Sequence, residues 1–504
     1  MQAQKPSALT RALSALLLTL TPTLAWASLD EDINQLTKPL ATLIKSTVFY
    51  KISLLGVEVP LVIIWLVAGA IFFTFYLGWV NLRAFKHAIE LIRGDYDDPN
   101  SEGEVSHFQA LATAVSGTVG IGNIGGVAVA VTLGGAGATF WLIVAGLLGM
   151  STKFVECTLS VKYRDTFEDG HVSGGPMYYL NYGLRALGHA NLGRVLGVVY
   201  AVGILLGALG IGNLFQSNQA YEQLASVWGS GVSPVWVGLV LALLVLSVIL
   251  GGITSIAKVT EKVVPFMAVL YCVSALIIIG LNSAHLPAAI EAIFVGAFTG
   301  EGVAGGALGV MVIGFQRAVF SNEAGIGSAS IAHSAVKTDE PVTEGVVALL
   351  EPFIDTIVIC TITALVITTS HIADPSFAGD AKGVAMTSAA FARHISWFPY
   401  PLAFAAVLFA LSTMISWSYY GLKGWAYLFG EGRGGQLFYK VIFCVFVFLG
   451  PLMKLGPILD ISDALVFLIC IPNIFGLYLL APTVKREMRS YFARIASGEI
   501  KRYK

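Results

Sequence analysis

Long stretches without any charged residue are the feature that most limits what this chain can fold into. Residues 61–80, 195–221 and 263–281 contain no Asp, Glu, Lys or Arg. About 20 apolar residues in a row are enough for a helix to cross the hydrocarbon core of a bilayer. Only 12% of the 504 residues are charged, whereas soluble proteins carry about 25%. The chain is therefore predicted to be an all-α membrane protein with many spans, and its net charge of −1 gives no indication of a nucleic-acid partner.

Apolar length places eleven predicted spans along the chain. They lie at residues 57–81, 107–133, 138–162, 195–225, 233–251, 260–282, 303–335, 343–369, 399–428, 438–454 and 459–482. The apolar stretch at 287–298 is too short and too close to a glycine-rich segment to count as a span, and we predict an interfacial helix there.

Basic residues in the short loops predict the orientation, because cytoplasmic loops are enriched in Lys and Arg. The C-terminal tail at residues 483–504 is basic, and the loops predicted on its side hold most of the other lysines and arginines. We therefore expect this tail in the cytoplasm of a bacterium, with the chain in the inner membrane. An odd number of spans then puts the mature N-terminus in the periplasm.

The N-terminus has the pattern of a secretory signal peptide. Lys5 and Arg11 precede an apolar run at 12–20, and Ala25-Trp26-Ala27 is a small-residue cleavage pattern. We predict cleavage after residue 27, with an uncleaved anchor helix as the alternative. A periplasmic segment at 28–56 would then lead into an extra transmembrane helix at 57–81.

Two glycine-rich polar segments interrupt predicted spans. The first reads GTVGIGNIGG at 117–126, and the second reads FSNEAGIG at 320–327. Alone, the first matches the G-x-G-x-x-G fingerprint of a dinucleotide-binding turn, but no strand precedes it and no acid follows at the required distance. Glycine for close helix packing is the other simple interpretation. The second interruption favours a functional break in both segments.

The two interruptions occupy corresponding positions in two halves of the chain. If the span at 57–81 is set aside, each opens a set of five spans, at 107–282 and 283–482. Five is odd, so the halves begin on opposite sides of the membrane. Paired breaks of this kind indicate an inverted-repeat transporter with its site near the bilayer midplane.

A broken helix frees backbone groups that can bind a small zwitterion. Amide N–H groups attract a carboxylate, and carbonyls attract an ammonium group or a metal ion. Hydroxyls near the breaks would suit sodium, a hard cation that favours oxygen. Candidates are Ser116 and Thr118 on one side and Ser412 and Thr413 on the other, although such hydroxyls often bond only their own helix.

Charged residues inside the predicted spans are expected to face the interior and to pair. Glu323 would lie in the first turn of a helix capped by Asn322. Glu156 follows Lys153 by three residues, which fits a simple pair near a helix end. Asp355, Glu156 and Asp463 are further acids inside or near the ends of predicted spans, and any of them could relay a proton.

Several blocks of the sequence resemble the alanine or glycine:cation symporter family over residues 108–429. They are SGTVGIGNIGGVAVA, MSTKFVE, SGGPMYYL, AKVTEKVVPFMA, FSNEAGIGSASIAHSAVKTDEP, FIDTIVICTITALVI and STMISWSYYG. The resemblance implies a transporter rather than an enzyme, which imports alanine or glycine with Na⁺ as the coupling ion. It also implies the five-plus-five fold of the neurotransmitter:sodium symporters, with one extra N-terminal helix.

The resemblance also implies which residues bind the ligands. The substrate pocket would be formed by Thr118, Gly120, Gly122, Asn123, Gln216, Phe320 and Trp417. The Na⁺ site would be formed by Ser116, the carbonyl of Val119, Ser412 and Thr413.

Departures from the family pattern leave the preference between alanine and glycine open. Members often have T-G-N-I-A where this chain has Ile121-Gly122-Asn123-Ile124-Gly125. A proton-coupled symporter of small neutral amino acids is the main alternative. A channel would need a continuous polar pore, and a membrane enzyme or receptor would need a catalytic motif or a large soluble domain, so neither is favoured.

Overall fold

The structure is a computed structural model that describes residues 35, 38–39, 41–54, 56–98, 101–168, 170–299, 306–381, 383–393, 395–453 and 457–503. The predicted signal peptide at 1–27 lies outside these residues. So does the beginning of the predicted periplasmic segment.

The first half of the chain is built from helices, with two short antiparallel hairpins. The hairpins pair β1 (Lys51–Leu54) with β2 (Val57–Pro60), and β3 (Asp165–Thr166) with β4 (Val172–Ser173). The helices are α1 (Leu61–Tyr76), α2 (Val80–Arg83), α3 (Phe85–Ile92), α4 (His107–Thr118), α5 (Val127–Gly134), α6 (Ala138–Lys162), α7 (Pro176–Tyr178), α8 (Leu184–Ala186), α9 (Ala190–Leu209), α10 (Phe215–Trp228), α11 (Pro234–Ile249) and α12 (Gly252–Leu281). Wider π-helical turns occupy Gly122–Gly126, Tyr179–Gly183 and Gly210–Leu214, and Gly229–Gly231 forms a 3₁₀ turn.

The second half is also helical. Its helices are α13 (Leu286–Thr299), α14 (Gly306–Asn322), α15 (Ser328–His333), α16 (Pro341–Val347), α17 (Leu350–Pro352), α18 (Thr361–Ala373), α19 (Val384–Ala392), α20 (Pro399–Phe429), α21 (Arg433–Leu449) and α22 (Pro457–Ser497). A π-helical stretch at Phe353–Cys360 joins α17 to α18, and 3₁₀ turns lie at Ser283–His285 and Gly450–Leu452. Helix α13 covers the predicted interfacial helix at 287–298.

Seven helices in the described part of the chain are long and apolar enough to cross a membrane, or eight if the bent pair α4 and 122–134 is one span. Three shorter apolar helices occur at Leu61–Tyr76, Pro234–Ile249 and Ser283–Thr299. The chain is thus a multi-pass membrane protein, while the count of eleven spans stays a prediction.

The predicted extra helix is shorter than the apolar stretch that suggested it. The stretch at 57–81 begins as strand β2, and helix α1 starts only after Pro60, which has extended backbone angles. The helix ends at Tyr76, just before Gly78 takes a positive φ of 65°. Hydropathy alone could not separate this β2 strand from the helix, because both are apolar.

The two interrupted spans run in opposite directions. Val105, just before α4 begins the first, forms a parallel backbone bridge with Val336, just after α15 ends the second. The guanidinium of Arg164 donates to the carbonyls of Ser334 and Val336 at 2.9 and 2.7 Å, and also to two neighbouring carbonyls. Desolvation lowers the pKa of Arg164 from its ordinary value, and these carbonyls accept hydrogen bonds from the half-buried guanidinium. The start of one span therefore lies beside the end of the other, as an inverted repeat requires.

Candidate substrate and cation site

The first interruption is a short unwound segment between two helical halves. Helix α4 starts with a capping box, in which Ser106 and Gln109 bond each other's backbone. It ends at Thr118, and Val119 takes extended angles of φ −73° and ψ 104°. The halves on either side are bent by 53°. The amide of Gly120 is held by the Asn123 side chain, whose Oδ1 accepts from it at 2.8 Å.

The second interruption places an acidic residue in an unusual backbone conformation. Helix α14 ends at Asn322, and Glu323 has a φ of 55°, which a residue with a side chain rarely adopts. Gly325 and Gly327 follow with φ values of 94° and 87°, and α15 resumes at Ser328. The prediction that Glu323 lies in the first turn of a helix is therefore wrong. Its carboxylate does reach that helix, since the Ser328 hydroxyl donates to it.

The two interruptions meet at a buried carboxylate. Asn123 Nδ2 donates to Ser321 Oγ at 2.9 Å and to Asp355 Oδ1 at 2.5 Å. Ser321 and Thr356 each donate a hydroxyl to Asp355 Oδ2 at 2.7 Å. The side chain of Asn123, predicted to contact substrate, thus joins the breaks to each other and does not line the cavity. The role of Ser321 had no signal in the sequence beyond its position in the second break.

A cavity of about 290 Å³ lies between the breaks. Of the predicted substrate residues, it is lined by Thr118, Gly120, Gly122, Gln216, Phe320 and Trp417. Thr413, predicted as a sodium ligand, also lines it. Sequence reasoning missed lining residues Ile211, Gln219, Gly383 and Val384, and it assigned no substrate role to Arg317 and Glu323, which line the cavity too.

Gln216 presents an acceptor to this cavity. Its Nε2 donates to the Ile211 carbonyl at 3.2 Å, which fixes the orientation of the amide. Its Oε1 is buried and has no hydrogen-bond partner among the described residues. A buried acceptor without a partner is costly. A bound donor such as an ammonium group would remove that cost.

Two aromatic side chains form walls that are held in place. Trp417 Nε1 donates to the Gly117 carbonyl at 3.2 Å, and the indole packs on Gly212, where an added Cβ would lie 2.5 Å from Trp417 Cβ. Phe320 packs against Phe467 with ring centroids 4.9 Å apart. Because these rings are fixed by neighbours, the walls cannot move aside easily for a large ligand.

The predicted sodium ligands converge beside the first break. Ser116 Oγ donates to the Ser412 carbonyl at 2.8 Å, and Thr413 Oγ1 donates to the Ser116 carbonyl at 3.1 Å. Ser412 Oγ donates within its own helix to Phe409 at 3.0 Å. All three side chains are buried, and Val119 lies where α4 ends. Among the described residues, hydroxyl and carbonyl oxygens thus gather here and no carboxylate joins them, a donor set that suits a monovalent hard cation.

Helix α19, in the connection between α18 and α20, covers the first break. Thr387 Oγ1 donates to the Ile124 carbonyl at 3.0 Å. A Cβ added at Gly125 would lie 2.7 Å from Val384 Cγ2, whereas one added at Gly122 would meet nothing within 4 Å. Family members often have alanine where this chain has Gly125. This difference has a physical reason, since only glycine lets α19 approach the first break this closely.

A bundle of membrane helices with two opposed breaks around a small cavity is the fold type of the neurotransmitter:sodium symporters. Among solved structures, the chain is similar to MhsT in complex with L-phenylalanine, with a TM-score of 0.53 and 16% identity. That match covers 77% of this chain and 88% of the other. It confirms the predicted five-plus-five fold type, while the eleven spans and the extra N-terminal transmembrane helix stay predictions.

The family follows from the sequence comparison. A family model described as the Sodium:alanine symporter family matches residues 43–504, and the chain belongs to that family. It is 41% identical to Sodium/alanine symporter AgcS of Methanococcus maripaludis, with 88% of this chain and 96% of that protein covered. It is also 33% identical to Probable sodium/glutamine symporter GlnT of Bacillus subtilis, with 87% and 89% covered. The predicted family is confirmed, and the chain is a sodium-coupled amino-acid symporter and not an enzyme.

Proposed function

We propose that this symporter imports alanine, glycine or both across the bacterial inner membrane together with Na⁺, with its C-terminus in the cytoplasm. The name of the Methanococcus relative supports alanine, whereas that of the Bacillus relative points to glutamine. The choice between them therefore depends on the cavity. The observation that carries the proposal is a cavity with fixed aromatic walls and one unpartnered acceptor, beside a cluster of oxygen ligands.

The substrate's charged ends would be held at opposite sides of the cavity. Its carboxylate would approach the backbone at Gly122, where no Cβ stands in the way, with Thr118 beside it, because the Gly120 amide already donates to Asn123. Its ammonium group would donate to Gln216 Oε1. The side chain would then face Phe320 and Trp417, which leaves room for a hydrogen or a methyl group.

The sodium ion would occupy the oxygen cluster at the end of α4. Its ligands would be the Val119 carbonyl, a Ser116 oxygen, and the hydroxyls of Ser412 and Thr413. Because these ligands come from both α4 and α20, a bound ion would tie the two helices together. Substrate and ion together would stabilise the closed state from which one bundle rocks against the other.

Uptake into proteoliposomes tests the substrate and the coupling ion together. Labelled alanine should accumulate with an inward sodium gradient, unlabelled glycine should compete, and glutamine should not. Competition by glutamine at similar concentration would overturn the substrate assignment. Accumulation driven by a proton gradient in sodium-free buffer would instead establish the proton-coupled alternative.

Substitution of Thr413 tests the sodium site. Thr413→Val removes one oxygen but keeps the shape, so we expect the sodium concentration for half-maximal uptake to rise about tenfold, as for a lost polar contact of about 1–3 kcal/mol. Thr369→Val is a matched control, because that hydroxyl bonds only its own helix at the Leu365 and Val366 carbonyls. An unchanged sodium dependence in Thr413→Val would contradict the assignment.

A further inference from the structure

A cluster of charged side chains lies behind the second break, away from the oxygen cluster. Lys153 and Glu156 project from α6, Glu351 from α17, and Glu323 from the break itself. Lys153, Glu156 and Glu351 have no solvent exposure. Lys153 Nζ and Glu351 Oε1 form an ion pair at 3.0 Å. The expected simple pair between Lys153 and Glu156 near a helix end is therefore wrong, because these residues lie in the middle of α6 and Lys153 pairs with another helix.

The cluster contains more acids than cations. Lys153 interacts electrostatically with all three carboxylates, and Arg317 lines the same cavity as Glu323. Glu156 and Glu351 do not line that cavity, so if both were ionised, Lys153 could balance only one of their two negative charges inside the bilayer. Burying an unpaired charge costs far more than burying a neutral carboxyl group.

Among the described residues, the other titratable neighbours of Lys153, Glu156 and Glu351, on α6 and on the helices packed against it, do not supply the missing positive charge. They are neutral or acidic groups, namely Cys157, Tyr179, Tyr200, Asp355, Tyr420 and Cys470. The Asp355 carboxylate has its own three side-chain donors and takes none from this cluster.

The three carboxylates differ in which nearby group can balance their negative charge. Glu351 has Lys153, and Glu323 lines the cavity together with Arg317. Glu156 has only a neutral donor, since Asn473 Nδ2 donates to its Oε1 at 2.8 Å. Its Oε2 is buried without a hydrogen-bond partner among the described residues. Among the described residues, Glu156 thus shares the charge of Lys153 with Glu351 and forms no ion pair of its own.

We propose that Glu156 is a proton-binding site, and that the chain transports with this proton bound. Asn473 joins the site to the second break, because the same Nδ2 donates to the Gly325 carbonyl at 2.9 Å, while Tyr179 donates to Asn473 Oδ1 at 2.5 Å. A negative charge on Glu156 would draw the amide of Asn473 away from Gly325 and so disturb the backbone of the break. The effect on transport rests on the proposed function, but the presence of the proton does not.

Infrared spectroscopy of the full chain in lipid nanodiscs detects the proton directly. At neutral pH the wild type should show the C=O stretch of a buried protonated carboxyl group, and Glu156→Gln should lose it. Glu323→Gln should keep it, as should the control Glu487→Gln, which alters a partly exposed acid paired with Lys162. Loss of the band in Glu323→Gln, or its persistence in Glu156→Gln, would overturn the assignment.

A second variant covers the case in which Glu156→Gln does not fold. Asn473→Ala removes the hydrogen-bond donor but leaves the carboxyl group, so the band should shift to higher frequency. An unshifted band would also contradict the site. Neither measurement needs transport, so failure of the proposed import and failure of the proton site are distinguishable.

Uptake then tests the consequence for transport. With equal pH on both sides, sodium-driven uptake by the wild type should fall as pH rises and the proton is lost. Glu156→Gln mimics the protonated form and should keep its uptake over the same range. Parallel pH profiles for the two proteins would show that this proton does not control transport.

Discussion

The two breaks differ in how they leave the helical path. The first, at 117–126, contains no ionisable side chain and is held through its backbone, with Asn123 capping Gly120. The second has an acidic residue, Glu323, at a positive φ and lies against the buried pair of Lys153 and Glu351. One break provides space beside its backbone, and the other provides charge.

This difference indicates a division of labour within an inverted repeat. Small residues at the first break allow a ligand or another helix to approach the backbone, so its sensitivity should be steric. Buried charges at the second break must be balanced, so its sensitivity should be electrostatic. Substitutions that add volume or remove charge can therefore test the comparison directly.

The largest effect is expected from removing one partner of the buried ion pair. Lys153→Met leaves Glu351 without its cation in the interior, and should destabilise the protein by about 3–5 kcal/mol. Thermal unfolding in detergent, followed by tryptophan fluorescence, measures the loss. The double variant Lys153→Met/Glu351→Met replaces both charges with apolar groups and should recover most of the stability. If the double variant is no more stable than the single one, charge balance is not what the second break requires.

At the first break, a single methyl group should change affinity without lowering stability. Gly122 lines the cavity, and a Cβ there meets nothing within 4 Å. Gly122→Ala should therefore fold normally and weaken alanine uptake about tenfold, with a smaller effect on glycine, since one methylene is worth about 1–3 kcal/mol in a pocket. Gly434→Ala, which is equally open but far from the cavity, is the control. Equal losses for alanine and glycine would mean that the methyl group added at residue 122 does not occupy the space of the substrate's side chain.

The sequence was sufficient to predict the membrane class and both breaks, because apolar length and paired glycine-rich segments are local patterns, and the family was predicted from the resemblance of its sequence blocks. It could not predict the cross-helix partners. The spacing of Lys153 and Glu156 suggests a pair on one helix, yet each bonds to a different helix far along the chain. The hydrogen bond from Asn123 to Asp355 and the packing of Val384 against Gly125 depend in the same way on tertiary structure.

Packing of helix α19 over the first break should also be sensitive to added side-chain volume. Gly125→Ala brings a Cβ to 2.7 Å from Val384 Cγ2, and overpacking of this kind costs about 1–3 kcal/mol. We expect α19 to pack less closely against the first break, so the substrate concentration for half-maximal uptake should rise about fivefold. Val384→Ala in the same chain restores the space and should reverse the change. Additive effects of the two substitutions would show that the residues do not act through their contact.

A second Lys–Glu pair sharpens the electrostatic side of the comparison, because it has the same chemistry in a different environment. Lys162 Nζ lies 2.8 Å from Glu487 Oε1 at the end of α6, and both side chains are 27% exposed. Partly exposed pairs are worth about 0.2–1 kcal/mol, so Lys162→Met should barely change the unfolding temperature. High salt should reduce even this difference, since exposed charges are screened. A cost as large as that of Lys153→Met would mean that burial does not separate the two pairs, and the charge requirement would extend beyond the second break.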